Sequence, residues 1–274
     1  SLEGRGDPAT FIAGFAGSDR YVVDYLVEEV LERLPDDVRT FLLATCMLHR
    51  LSAPLCDAVT GQPGTGRAML DRLERQNLFL VPLDEQRHWY RYHHLFADVL
   101  AAHLPETQRR GLAATHRRAS AWFEEQGERH EAIHYALAAE DFDWAAELLE
   151  RAVPEMRRRR QEALFRAWMK PVPDAIVRAR PALGVGYVGV LVSLGSFEGI
   201  EERLRDAEAR LPGNDPDGAL AASVALYRSA LAQVRGDPQC AFDQGQDALR
   251  RDGALEVAAE GSHDGSSPDR DAGR

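Results

Sequence analysis

Two groups of histidines are the residues of this chain whose type and spacing could do chemistry. His93 and His94 follow the aromatic segment 89–92 (WYRY) and begin a helical pattern. An imidazole can donate a hydrogen bond to a phosphate oxygen, and that bond is stronger when the ring is charged. Spacing alone favours a simpler interpretation, in which a histidine at a helix start bonds to backbone or water.

The second group, His130, Glu131 and His134, forms the pattern HExxH. In zinc hydrolases the two histidines of this pattern bind the metal from one helical face, and the glutamate acts as a general base. Here the polar segment 126–129 puts His130 at a solvent-facing helix start, and no GxxH follows to supply a third ligand. We therefore expect no metal at these residues, and a zinc hydrolase is the least favoured alternative.

The chain also lacks the usual sequence motifs for nucleotide binding and for acyl transfer. The chain has no phosphate-binding loop GxxxxGK[ST], and its single lysine, Lys170, precedes Pro171. It therefore cannot be a self-sufficient P-loop ATPase. It has no GxSxG motif, and its three cysteines form no CxxC pair that would hold zinc. We predict that this chain catalyses no reaction and binds no cofactor by itself.

The net charge of −11 argues against nucleic acid as a direct partner, because DNA binding usually requires a basic face. The helix predicted over 67–76 takes the position of a recognition helix, yet Asp71 and Glu74 interrupt its arginines. No apolar run reaches the roughly 18 residues that span a bilayer. An odd cysteine count without a secretory signal fits the reducing cytoplasm, where we expect this protein.

The elements that must position His93 have the order of a winged helix. Helical periodicity runs from residue 18 to residue 78, interrupted by Pro and Gly. An apolar strand over 78–83, a polar turn and the aromatic strand 89–92 then form a hairpin. We predict a winged-helix domain over 19–104, preceded over 1–18 by a linker or the tail of another domain.

From residue 105 onward the pattern is helical only. The turns 140–142, 195–197 and 236–238 each join a small-residue helix end to a new helix start. Such alanine-rich helix pairs predict a tetratricopeptide-like (TPR-like) α-solenoid over 105–252, with an irregular helical bundle as the alternative. The low-complexity end predicts disorder over 253–274. The predicted fold class is mainly α, with one small β-hairpin.

Four segments, 17–31, 41–61, 73–100 and 131–150, resemble the large LuxR-type transcriptional regulators related to MalT. These are signal-transduction ATPases with numerous domains (STAND). The resemblance implies a P-loop ATPase domain before the winged helix, repeats that sense an inducer, and a C-terminal LuxR helix–turn–helix. Only the winged helix and the repeats have a counterpart in this chain.

The resemblance also implies a role for the histidine pair. In related STAND proteins a histidine just after the wing, in an MHD-like pattern, contacts the β-phosphate of ADP. The segment 92–95 (YHHL) stands at that place, so His93 would sense the nucleotide, and His94 replaces the usual acid. The nucleotide-binding domain of the parent regulator would hold the ATP or ADP and would be the docking partner.

Our leading hypothesis is a regulatory fragment of an ATP-dependent LuxR-type regulator. Its winged helix would dock on a nucleotide-binding domain absent from this chain, and its repeats would bind an inducer or a partner protein. A free-standing TPR-like scaffold, with the winged helix as a cap, is the alternative.

Overall fold

The computed structural model describes residues 30–211, 215 and 218–263, with side chains described as far as Arg251. The chain divides into two compact units between Asp141 and Phe142. The predicted linker 1–18, the beginning of the predicted winged-helix domain and residues 264–274 of the predicted tail lie outside the described residues.

Both units are built mainly from α-helices, which confirms the predicted fold class. The described part of the first unit contains a 3-10 turn (Leu31–Arg33), α1 (Asp36–Thr45), α2 (Ala53–Thr60), α3 (Thr65–Arg75), β1 (Leu80–Pro82), β2 (Tyr90–Tyr92), α4 (His94–Ala102), α5 (Glu106–Glu125) and α6 (Arg129–Ala138). The second contains α7 (Phe142–Arg158), α8 (Glu162–Met169), α9 (Asp174–Ala179), α10 (Pro181–Ser193), α11 (Ile200–Glu208), α12 (Ala219–Arg235) and α13 (Pro238–His263). Among the described residues, no helix combines the length and apolarity needed to cross a bilayer.

The winged-helix core is apolar and lies between the first four helices. Leu42 of α1, Leu55 of α2, Leu70 and Leu73 of α3 and Phe96 of α4 are almost fully buried. Complete burial of such a side chain stabilises the fold by about 1.5–3 kcal/mol. The spacing of these residues is helical within each segment, so periodicity in the sequence predicts the core directly.

Local chemistry sets the ends of α2. Ser52 caps its first turn by accepting a hydrogen bond from the amide of Leu55 at 3.4 Å, and Pro54 occupies the first turn, where its missing N–H costs nothing. Gly61 follows the last residue with φ of 70°, a left-handed conformation that carries no steric penalty for glycine.

The wing is a two-stranded antiparallel hairpin in which Leu80 pairs with Tyr92 and Pro82 pairs with Tyr90. Tyr90 and Tyr92 point inward and are buried, whereas Arg91 between them is exposed, as the two-residue period of a strand requires. A bridge between Leu51 and Tyr90 ties the hairpin to the segment before α2. The aromatic strand therefore belongs to the core of the winged helix.

The first unit extends through α6, whereas the sequence indicated a boundary between residues 104 and 105. The physical reason is that α5 and α6 pack on the winged helix through aromatic and charged side chains. The backbone amide of His49 donates a hydrogen bond to the Tyr135 hydroxyl at 3.1 Å. Arg50, in the same loop, forms an ion pair with Glu128 and lies 4.2 Å from the centre of the Trp89 ring. These contacts join residues distant in sequence.

The second unit consists of helical hairpins with a continuous apolar core. The buried side chains come from three consecutive helices: Val185, Val188 and Leu191 of α10, Ile200, Leu204 and Ala207 of α11, and Val224, Tyr227 and Leu231 of α12. Ser229 of α12 donates a hydrogen bond to the carbonyl oxygen of Ala241 of α13 at 2.7 Å. The last helix runs to His263, so the first residues of the predicted tail 253–274 are helical.

Two glycines of α10 allow neighbouring side chains to approach its backbone. A Cβ atom at Gly186 would lie 2.8 Å from Val153 Cγ2 of α7, and a Cβ atom at Gly189 would overlap the Tyr227 hydroxyl of α12. Contacts this close require a residue without a side chain. The packing of α10 against two other helices thus depends on small residues at fixed positions.

Candidate functional site

The candidate site lies where the chain leaves β2 and enters α4, and its centre is His93. The amide of His93 donates a hydrogen bond to the Phe79 carbonyl oxygen at 2.8 Å. The carbonyl oxygen of His93 accepts hydrogen bonds from the amides of Phe96 at 2.9 Å and Ala97 at 3.0 Å. His93 is therefore the N-cap residue of α4, with its backbone held on both sides.

Buried aromatic residues support this backbone from beneath. The Tyr92 hydroxyl and the Thr45 hydroxyl are 2.7 Å apart and form a buried hydrogen bond. The Phe96 ring lies 4.8 Å from Phe79 and 6.1 Å from Tyr92, measured between ring centres. Because these side chains are fixed in the core, the position of the adjacent His93 is determined by rigid elements on each side.

The His93 ring is half-buried, and its Nδ1 atom is covered without a hydrogen-bond partner among the described residues. The neighbouring His94 ring is exposed, and the two ring centres are 4.4 Å apart. Burial, with smaller effects from the charges of His94 and Arg91, lowers the pKa of His93 below its usual value. The ring is therefore neutral near pH 7.

A neutral imidazole at this position has one N–H donor and one acceptor nitrogen. A buried polar atom without a partner is unfavourable, so a group that hydrogen-bonds to it contributes more than it would in water. Because Nδ1 is covered by the chain itself, a polar or anionic group brought from outside would meet the exposed part of the half-buried ring. Of the two predicted residues, His93 has the fixed geometry for this, and His94 is solvent-facing.

The HExxH residues lie on α6, and His134 points toward the winged helix. Its ring centre lies 4.7 Å from that of His49 and 5.1 Å from that of Tyr135. Within the described part of the chain, no group of three or more His, Cys, Asp or Glu side chains is arranged to hold a metal ion. The ring of His134 thus packs in an aromatic cluster, and the geometry of His130 and Glu131 gives a zinc site no support.

Sequence reasoning missed that aromatic cluster, in which His49, His116 and His134 surround Tyr135. The ring centres of His49 and His116 are each 6.0 Å from that of Tyr135, and Tyr135 stacks on Phe123 at 5.4 Å. No local signal identifies it, because His49 and Tyr135 are 86 residues apart. Its position between the α1–α2 loop and the α5–α6 hairpin makes it part of the packing of the first unit.

Two of the three arginines of α3 form ion pairs with carboxylates. Arg67 pairs with Asp71 at 3.0 Å, and Arg72 pairs with Asp37 at 2.7 Å. On the wing, Arg87 pairs with Glu74 of α3 at 3.0 Å. A recognition helix needs unpaired donors that reach base edges, and in α3 these ion pairs occupy Arg67 and Arg72.

Comparison with known proteins identifies the winged-helix part of the first unit and finds relatives that match most of the chain. Residues 27–112 match the MalT winged helix domain family. The chain is 34% identical over 215 residues, or 76% of its length, to the serine/threonine-protein kinase PknK of Mycobacterium tuberculosis. It is 30% identical over 227 residues, or 83% of its length, to the HTH-type transcriptional regulator MalT of Cronobacter sakazakii.

These alignments cover 19% of PknK and 25% of MalT, so the chain spans about a fifth to a quarter of the relatives it matches. The family match covers α1–α4, the wing and the first turns of α5. The similarity to both relatives extends well beyond that domain into the helical part of the chain. Residues 27–112 are therefore a MalT-type winged helix, and the chain belongs to the MalT-like proteins.

Proposed function

We propose that this chain is the regulatory region of a nucleotide-controlled switch protein. In this proposal the winged helix docks on a separate nucleotide-binding domain, and the helical hairpins receive an inducer or a partner protein. The similarity to MalT over most of the chain supports a role connected with transcription regulation. The single observation that carries the docking role is the His93 ring, which is fixed through its backbone at the exit of the wing and is only half-buried.

The proposed contact is a hydrogen bond between His93 and a β-phosphate oxygen of ADP. The phosphate would satisfy the ring and favour its charged form, because an anion beside an imidazole stabilises the added proton. The nucleotide itself would be held by the other domain, which supplies the phosphate-binding loop that this sequence lacks. His93 would then join the two domains only while ADP is bound.

Replacement of ADP by ATP would remove or reposition that contact. A two-state domain movement follows if the winged helix is bound in one nucleotide state and released in the other. The N-cap position of His93 suits such a signal, because the backbone of this residue holds the first turn of α4. The winged helix would thus report the nucleotide state to the rest of the protein.

The helical hairpins of the second unit are the proposed receiver of the inducer or partner. Stacked helix pairs expose extended grooves, which such proteins use for binding. One groove between α11, α12 and α13 has a volume of about 450 Å³ and is lined in part by Glu201, Arg228 and Arg235. Small-molecule sites commonly occupy about 300–1,000 Å³, so this groove is of suitable size.

The activity that the switch would control differs between the two relatives, as their names show. One is called a transcriptional regulator and the other a protein kinase. A regulatory region for a kinase is therefore our second candidate, favoured by the 34% identity to PknK. The DNA on either side of the coding segment distinguishes the two: a helix–turn–helix supports the regulator, and a kinase domain supports the second candidate.

The docking role can be tested by measuring how long ADP stays bound. We would purify this chain with the nucleotide-binding domain of a MalT-like relative, or fused to it, and follow the release of radiolabelled ADP. Loss of one charge-assisted hydrogen bond, worth about 1.5–3 kcal/mol, should make release roughly 10- to 150-fold faster in His93→Ala. His93→Gln should be intermediate, because the amide retains a donor.

His88→Ala is the matched control, since His88 is an exposed histidine on the wing. It should leave ADP release unchanged. Equal release rates for His93→Ala and the unmodified chain would reject the sensing role. A circular dichroism spectrum of each variant confirms that any change does not arise from unfolding.

A further inference from the structure

A cluster of cations that lack ion-pair partners lies around the turn that joins the first two helices of the second unit, α7 and α8. The cationic surface consists of Arg157 and Arg158 at the end of α7, Arg160 in the following turn, and Arg166 and Lys170 on α8 and at its end. All five residues are exposed. None of their side chains forms an ion pair or hydrogen bond with any residue that the structure describes.

The arginines of the cationic surface differ from most other described arginines, which form ion pairs with carboxylates. In the same turn, Arg159 pairs with Glu155 at 3.0 Å, and about two helical turns earlier Arg151 pairs with Glu147. In a chain of net charge −11, most described arginines lie beside a carboxylate. Five unpaired cations within 157–170 therefore form a positive surface on a chain whose net charge is negative.

Helix electrostatics explains only part of the cluster. The negative end of a helix favours cations in its last turn, which suits Arg157 and Arg158 on α7. Arg160 lies beyond that helix, with a φ of 56°, and cannot act on its end in the same way. The cations that do not lie at the end of α7 repel one another, so helix stability does not explain them. Binding of a negatively charged partner explains them better.

The same surface is partly apolar, and this decides the kind of partner. Leu164 of α8 is 37% exposed, with exposed Ala163 and Ala167 beside it, while Phe165 and Met169 face the core. A helix of this length is about 12 Å long, so the cations and the aliphatic side chains lie close together. A polypeptide with carboxylates and aliphatic side chains matches both features.

Nucleic acid fits the surface less well. Single strands bind through stacking on exposed aromatic rings, and the exposed side chains of the cationic surface include none. Duplex DNA would meet the unfavourable net charge of the chain. A membrane would require a longer amphipathic helix with a broader apolar face than the eight residues of α8 provide.

We propose that the cationic surface binds an acidic polypeptide segment that also carries aliphatic side chains. The inference names the chemistry of one partner for the helical hairpins and in that sense rests on the proposed function. Its test does not involve His93 or ADP. A negative result here would leave the docking role intact, and a negative ADP result would leave this surface intact.

The experiment uses the full chain and a labelled synthetic peptide of about 16 residues in which glutamate and leucine follow helical spacing. Fluorescence anisotropy gives the dissociation constant at about 50 mM and 300 mM salt, since screening should weaken a charged interface. The test variant carries Arg157→Gln, Arg158→Gln, Arg160→Gln and Arg166→Gln. The matched control carries Arg39→Gln, Arg110→Gln, Arg151→Gln and Arg251→Gln, whose arginines form local ion pairs.

Both variants remove four positive charges and so have the same net charge, but only the test variant changes the cationic surface. The test variant should bind the peptide at least about tenfold more weakly, and the control should stay within about twofold. Leu164→Ser, which removes the exposed aliphatic side chain, should also weaken peptide binding. It should leave binding of a thymidine oligonucleotide unchanged. These results together support the proposal.

Three outcomes would overturn it. The first is an equal loss of peptide affinity in the test variant and the control. The second is tighter binding of the thymidine oligonucleotide, or of phosphatidylcholine vesicles containing phosphatidylserine, than of the peptide. The third is no salt-sensitive binding of the peptide to the unmodified chain.

Discussion

At the scale of single residues, the hydroxyl of Tyr92 links the wing to the helical core. It forms a buried hydrogen bond with Thr45 of α1 and stands one residue before His93. Burial raises the pKa of Tyr92 well above its usual value, so the hydroxyl stays protonated and can always donate. The position of the candidate site therefore depends on a polar contact inside an apolar core.

The change Thr45→Val tests that dependence. It keeps the shape of the side chain but leaves the Tyr92 hydroxyl buried without its partner, which should lower the free energy of unfolding by about 1–3 kcal/mol. Urea unfolding followed by circular dichroism measures the difference. Thr60→Val is the control, because the Thr60 hydroxyl bonds only to backbone of its own helix and should change stability by less than about 0.5 kcal/mol. An equal effect of both changes would contradict the role of Tyr92.

The sequence predicts most of the residues at the candidate site, but it does not predict their burial or their hydrogen-bond partners. The hairpin pattern indicates His93 as the residue that leaves the wing, and the resemblance assigns it a role. Neither shows that Nδ1 is covered and without a partner, because that depends on how α4 packs against the residues around Phe79. The ion pairs of α3 are likewise invisible in the sequence, since Arg72 pairs with Asp37 from a different helix.

At the scale of elements, the α5–α6 hairpin meets the winged helix through His116 and His134, and the pKa of each is lowered. Burial is the main cause of a lowered pKa at both His116 and His134, and neighbouring histidines lower each further. Against this, the Ala138 carbonyl raises the pKa of His116, and Glu131 raises that of His134. Arg50, which also faces Tyr135, is paired with Glu128.

The sign of the pH effect follows from these lowered values. As pH falls below the unfolded-state pKa of about 6.5, the unfolded chain binds protons that the folded cluster does not, so the free energy of unfolding decreases. The loss is complete once pH is below the lowered folded values, and above about pH 7.5 the contribution is fully present. We expect unfolding of the first unit at lower urea concentration at pH 5.5 than at pH 7.5.

The double change His116→Gln and His134→Gln should reduce that difference in urea midpoint between pH 7.5 and pH 5.5. His88→Gln, on the exposed wing, should leave it as in the unmodified chain. Carboxylates contribute to acid unfolding in all three proteins, so only the difference between them is informative. The cluster would have no role in pH dependence if the double variant and the His88 control showed the same midpoints.

The glycines of α10 make a second prediction at this scale. Gly189→Ala would force a methyl group into the Tyr227 hydroxyl and should destabilise the second unit by about 1–3 kcal/mol, the usual cost of overpacking. Gly111→Ala in α5 has nothing within 4 Å of the added atom and should be neutral or stabilising by up to about 1 kcal/mol. Thermal unfolding measures both, and a loss of stability in Gly111→Ala equal to that in Gly189→Ala would refute the packing argument.

At the scale of the whole molecule, the division of the chain differs from the one that its patterns indicate. The shift from a hairpin to uninterrupted helices suggests a boundary at residue 104, whereas the compact unit ends at Asp141. Helical periodicity is the same on both sides of residue 104, so it carries no information about which core a helix joins. The decision comes from contacts such as Tyr135 with His49 and Arg50 with Glu128.

Truncation tests where the first unit ends. A polypeptide of residues 1–141 should unfold cooperatively in urea, because it keeps every helix that packs on the winged helix. One of residues 1–104 should be less stable by several kcal/mol or fail to fold, since it exposes the apolar surface that α5 and α6 cover, at about 25 cal/mol per Å². Equal stability of the two would place the boundary at residue 104 after all.

Sequence alone determined the order of the helices, the wing hairpin, the position of His93 after it, and the relation to MalT. These follow from local patterns, in which side-chain periodicity, caps and turn residues act over a few positions. Only the tertiary structure decided that α5 and α6 join the winged helix, that three histidines surround Tyr135, and which cations have partners. These properties depend on residues that are tens of positions apart, and chain folding brings them together without leaving a mark in any local segment.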